Sequence, residues 1–78
     1  MPKLRVLSGK TLIVAFEKLG FRVIGQKGSH IKMNRFLIKI QTLIIPNHKS
    51  ISKGTLKEIY TQALVYISEL ELKKIFYT

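Results

Sequence analysis

A chain of 78 residues holds one small two-layer core and leaves no room for a second domain. It has no cysteine, which excludes a disulfide framework, a thiolate metal site and a cysteine nucleophile. Fourteen Lys and Arg against four acids give a net charge of +10, the balance of a protein that meets polyanions, nucleic acid foremost.

Met1 to Lys10 lacks the apolar core of a signal peptide, and no apolar run approaches the ~18 residues of a membrane span. A soluble, intracellular, cytoplasmic protein without a membrane partner is therefore expected. In chain order, Ser8 is placed to cap a helix. Leu12, Ala15, Phe16 and Leu19 then recur at i, i+3, i+4 and i+7 as one apolar stripe, and Gly20 closes a helix of about Gly9 to Leu19. Phe21 to Ile24 reads as a first strand, ended by the Gly25 to Ser29 segment with its two glycines.

From His30 the chain alternates: Ile31 and Met33 face a core, while His30, Lys32 and Asn34 share an open face. Asn34-Arg35 is the only turn-like dipeptide before a long β-branched run, so the second hairpin is placed there. The third strand is then Phe36 to Ile45, with Phe36, Ile38, Ile40 and Ile44 inward. Lys39 and Gln41 fall outward, on the face of His30 and Lys32, which makes that face a basic, polar platform.

Pro46 ends the strand because it cannot donate to a ladder. Ser52 is a plausible cap for a second helix striped by Leu56, Ile59, Tyr60 and Ala63. Ser68-x-x-Glu71 is a capping box for a last short helix on the domain edge, with Glu69 and Glu71 early and Lys73 and Lys74 late to suit the helix dipole. The pattern gives an α+β domain, α-β-β-β-α with a terminal helical turn, whose helices cover one face of a three-stranded antiparallel sheet.

All four acids, Glu17, Glu58, Glu69 and Glu71, fall on helices, and Gly20 to Lys57 carries eight cations and no acid. One side of the molecule is therefore cationic. Within that stretch, Gln26-Lys27-Gly28-Ser29-His30 is a basic, glycine-hinged turn that delivers a histidine to the start of a strand. Histidine, with an unperturbed pKa of about 6.5, both takes and gives a proton near neutrality. A hairpin turn with an ordinary surface histidine is the plainer reading of Gly-Ser-His taken alone.

Four stretches taken together resemble the HicA family of toxins. They are Leu12 to Phe21, ending Lys-Leu-Gly-Phe; Gln26 to His30; Ile45-Pro46-Asn47-His48; and Lys53-Gly54-Thr55-Leu56. The resemblance covers nearly the whole chain. It implies a fold like the double-stranded-RNA-binding domain, RNA cleavage with mRNA as substrate, and a HicB-type antitoxin as partner. By the same resemblance His30 matches the catalytic histidine, and Gly28 and Ser29 match its neighbours in the motif.

The residues permit that chemistry without a metal or other cofactor. RNA carries its own nucleophile in the 2′-hydroxyl, so cleavage needs a base, an acid and charge on the crowded phosphate. Metal-dependent cleavage wants clustered carboxylates, and this chain has no Asp. Ser29 has no triad acid and suits a turn hydrogen bond better than attack. His30 is thus the candidate general acid or base, Lys27 and Lys32 the candidate phosphate ligands, and Lys39 a further RNA contact on the platform. His48 is a candidate second proton-transfer group, against the plainer reading of a surface loop histidine. A non-catalytic double-stranded-RNA binder or ribosome-associated basic protein would share the fold and charge, with Lys49, Lys53 and Lys57 as its contacts.

Overall fold

The computed structural model describes residues 3–78. Met1 and Pro2, which the single-domain expectation also covers, lie outside the described residues. The elements are α1 (Gly9–Lys18), β1 (Arg22–Lys27), β2 (His30–Leu37), β3 (Lys39–Pro46), α2 (Lys53–Leu64) and α3 (Glu69–Phe76). Each helix starts behind a serine whose Oγ accepts a backbone N–H: Ser8 from Thr11, Ser52 from Thr55 and Ser68 from Glu71. Such a cap satisfies an otherwise orphaned donor and stabilises a helix by about 1 kcal/mol. Gly20, at φ 97°, follows α1 where the sequence placed the helix end.

The strands form one antiparallel sheet in the order β1-β2-β3. Ile31 and Met33 of β2 and Leu43 and Ile45 of β3 are buried on one face, against Leu12 and Phe16 of α1 and Leu56, Ile59 and Ala63 of α2. This is the α+β architecture, with the double-stranded-RNA-binding-domain-like order of elements, that the sequence led us to expect. The third helix differs from expectation: instead of dressing an edge, it completes the core. Leu72 and Phe76 are fully buried, and the Phe76 ring meets Phe16 at 6.3 Å and Tyr60 edge-on at 5.3 Å.

The sheet corrects the sequence reading in two places. Strand β1 does not stop at Ile24 but runs to Lys27, absorbing Gly25 through a bulge between Val23 and Gly25. A bulge takes one extra residue into a strand, so a glycine there marks a kink and not an end. The second hairpin turns at Ile38 and not at Asn34-Arg35, which lie within β2 opposite Thr42 and Gln41. The inner face of β3 is therefore Lys39, Gln41, Leu43 and Ile45, and the residues expected inward, Phe36, Ile38, Ile40 and Ile44, are exposed. Shifting the phase by one residue exchanges the two faces. Ile38 turns the chain alone, at φ 69°, a region a β-branched residue enters at a cost of order 1–3 kcal/mol.

Arg35 shows why the strand continues past Asn34. Its side chain enters the helix layer and binds three acceptors: Nε donates to Gln41 Oε1 at 2.8 Å, Nη1 to Leu19 O at 2.9 Å and Nη2 to Tyr66 O at 3.2 Å. Its guanidinium carbon sits 4.5 Å from the centre of the Phe21 ring. Leu19 caps the C-terminus of α1, and Tyr66 follows the C-terminus of α2. One cation thus ties two negative helix ends to the sheet, and burial lowers its pKa from the usual arginine value.

Candidate active site

The first hairpin places Gly28 and Ser29 between the paired residues Lys27 and His30. Gly28 adopts φ 59°, and a Cβ there would meet nothing within 4 Å, so the glycine answers a backbone requirement and not a crowded one. The turn is pinned from both sides. Gln26 Nε2 donates to Gly28 O at 2.9 Å, and Asn47 N–H donates to Ser29 O at 2.6 Å.

Cross-strand partners point to the same face of a sheet. His30 therefore shares the open face with its partner Lys27, and Lys32 stands two residues on opposite Gly25 and Ile44. His30, Lys27, Gly28, Ser29 and Lys32 are all exposed. Among the described residues the ion pairs join Lys73 to Glu69 and Lys74 to Glu71, both within α3. The lysines around His30 are thus not neutralised by a carboxylate.

Lys39 is not part of this group. It pairs with Leu37 at the far end of β2, on the opposite face, roughly 20 Å along the strand from His30. The expected union of Lys39 and Gln41 with His30 and Lys32 fails for the reason given above, the one-residue phase of β3.

His48 is brought in by the strand exit. Its Nε2 lies 3.3 Å from Ser29 Oγ, and its carbonyl accepts the Gly9 N–H at 2.8 Å. Gly9 lets α1 abut this segment directly, since a Cβ there would run into Pro46 O and Asn47 Cα. The loop is fastened further by the Ile51 N–H to Leu7 O bond of 2.9 Å. Both histidines therefore border Ser29, held between a hairpin and the N-terminus of α1. A glycine one residue behind a helix cap was the sequence signal for this close approach.

A second basic cluster, Lys49, Lys53 and Lys57, lies in the loop before α2 and in its first turns, on the helix layer. Cations there add to the positive end of the helix dipole instead of offsetting it, which raises its attraction for phosphate. The four glutamates lie on α1, α2 and α3, away from the open face. A groove of about 580 Å³ between α1 and α3 also gathers cations, Arg5, Lys10, Lys18 and Lys74, but carries no group that moves a proton near neutral pH.

The topology and this surface define a small, strongly basic α+β protein whose open sheet face offers a histidine among unpaired lysines. The family model described as the HicA toxin of bacterial toxin–antitoxin matches residues 9–65, from the start of α1 through α2. The chain belongs to that toxin family, and α3 lies beyond the matched span. No curated protein and no solved structure matches the chain. Among the described residues no helix is long and apolar enough to cross a membrane.

Proposed function

We propose that the chain acts as a single domain, residues 1–78, and is a metal-independent endoribonuclease that cleaves mRNA in the cytoplasm as the toxin of its pair. The observation that carries this reading is His30, presented on the open face with Lys27 opposite and Lys32 two residues on. In the reaction the 2′-oxygen bonds to phosphorus as the bond to the 5′-oxygen breaks. One proton leaves the 2′-hydroxyl and one reaches the departing oxygen. His30 serves one of these transfers, and Lys27 and Lys32 offset the charge on the phosphate. Gly28 and Ser29 present the turn to the RNA backbone. The donor set favours this route over a two-metal one, which needs clustered carboxylates.

A toxin of this kind requires restraint in trans, and the partner we propose is a HicB-type antitoxin. It covers the open face and takes His30, Lys27 and Lys32 out of reach of RNA, with acidic residues complementary to the basic surface. A second reading, a non-catalytic RNA binder, has one observation in its favour: Lys49, Lys53 and Lys57 gather at the start of α2. Incubating purified protein with mRNA in EDTA separates the two. Cleavage products in EDTA support the nuclease, and binding without products supports the second reading.

A further inference from the structure

The open face has a second half that the chemistry above does not use. Beyond Lys32 and the hydrogen-bonded pair Asn34 and Thr42 it turns apolar: Phe36 is 71% exposed and its cross-strand partner Ile40 62%, while Ile38 at the turn is 99% exposed. Ile24 lines the same hollow of about 410 Å³ as Phe36 and Ile40, and Ile44, paired with Lys32 on that face, is 37% exposed. Large side chains gathered this way on a small basic protein leave much of their apolar surface in water. An apolar patch with a polar rim is the mark of a protein-binding surface.

Strain adds a second, independent observation. Ile38 holds a left-handed backbone conformation that Asn or Gly would hold at less cost, and its side chain meets no core in return. The fold gains nothing from isoleucine at this position. Strain that the folded monomer does not use points to a contact made outside it.

We propose that the β2–β3 tip, Phe36, Ile38 and Ile40 with Ile24, is the apolar anchor by which the antitoxin grips this toxin, separate from the acidic contacts that cover His30. The proposal rests on the toxin reading for its partner but not on the nuclease reading. The rim selects an acidic occupant: Arg22 lines the hollow, Lys32 pairs with Ile44 and Lys39 sits at the turn, with no acid between Gly20 and Lys57. A second copy of a chain carrying a net charge of +10 would set these same cations against one another, so self-association through this face is disfavoured. RNA is matched by the lysine end, and of the four anchor residues only Phe36 has a ring on which a base could stack. Anchoring at the tip leaves the antitoxin's acidic groups to lie along the face toward His30.

Three variants test this against purified cognate antitoxin by calorimetry, with RNA turnover, melting temperature and sedimentation measured alongside. Phe36→Asp and Ile40→Asp are expected to weaken the antitoxin at least a hundredfold and leave turnover within twofold, so that cells making them escape neutralisation. Ile38→Asn is expected to raise the melting temperature while weakening the antitoxin at least tenfold, a pair of opposite signs that a structural role would not produce. Antitoxin affinity within threefold of wild type in all three variants overturns the proposal. So does a wild-type dimer that Ile40→Asp dissociates. If wild-type protein cleaves no RNA yet loses its antitoxin on Ile40→Asp, the nuclease reading fails and the anchor stands.

Discussion

The sheet reverses direction twice, at Gly28-Ser29 and at Ile38, and both reversals need a residue at positive φ, 59° for Gly28 and 69° for Ile38. The first uses the residue suited to that region and fastens it with hydrogen bonds from Gln26 and Asn47. The second uses a β-branched residue, nearly naked in solvent, with apolar neighbours that the fold leaves exposed. The relaxed, pinned turn carries His30, proposed as the proton-transfer group, and such a group must be held within a fraction of an ångström to be useful. The strained, protruding turn carries none. On these two proposals, the comparison separates two uses of a hairpin: the first to orient a reacting group, the second to offer surface to another molecule.

The sharpest test of the first turn is His30→Ala, which is expected to lower RNA turnover by about 10²–10⁴-fold with unchanged circular dichroism. A folded mutant that still turns over RNA would remove the chemistry from this end. The second hairpin is joined to the core by Arg35. Arg35→Met should destabilise the protein by about 2–3 kcal/mol, read as a fall of roughly 10–20 °C in melting temperature, because two helix-end carbonyls lose a charged donor. An unmoved melting point would show that the clamp contributes nothing.

His48 distinguishes an orienting turn from a merely stable one. His48→Ala removes the group beside Ser29 Oγ and should cost about tenfold in turnover while barely moving the melting temperature. Wild-type rates would leave His48 as a surface residue of the loop. The smallest of these effects belongs to Gly28→Ala, where a Cβ in the left-handed region costs about 1–2 kcal/mol though it touches nothing. A melting temperature unchanged by that substitution would mean the first turn is as tolerant of side chains as the second.

Much of this was legible in the sequence because the signals are local. Ser8, Ser52 and Ser68 each cap the helix they precede, and the alternation from His30 to Met33 fixed which residues of β2 meet the core. The phase of β3 was not legible. Its run from Phe36 to Ile45 is apolar at both odd and even positions, so alternation could not tell inner from outer, and no Gly, Pro or Asp marks Ile38 as a turn. Asn34-Arg35 looked like a turn because its real partners lie elsewhere: Asn34 Oδ1 accepts from Thr42 Oγ1 at 3.0 Å, and Arg35 answers two helix ends distant in the chain. The nearness of His48 to Ser29 likewise depends on strand pairing, which a linear pattern does not encode, and Gly9 behind the Ser8 cap was its one local trace.

The acceptors chosen by Arg35 carry one more consequence. The clamp leans on two carbonyls, an amide and an aromatic ring, with no carboxylate among them, so dissolved ions have no opposite charge there to compete for. What salt does meet is the mutual repulsion of a chain at +10, which it screens over about 10 Å at 0.1 M. Affinity for single-stranded RNA should meanwhile fall, with log K against log[salt] sloping by roughly −0.7 per neutralised phosphate, less one such increment in Lys27→Ala or Lys32→Ala. Potassium chloride is therefore expected to raise the melting temperature and release RNA in the same titration. In brine the molecule would be at its most durable and its least harmful.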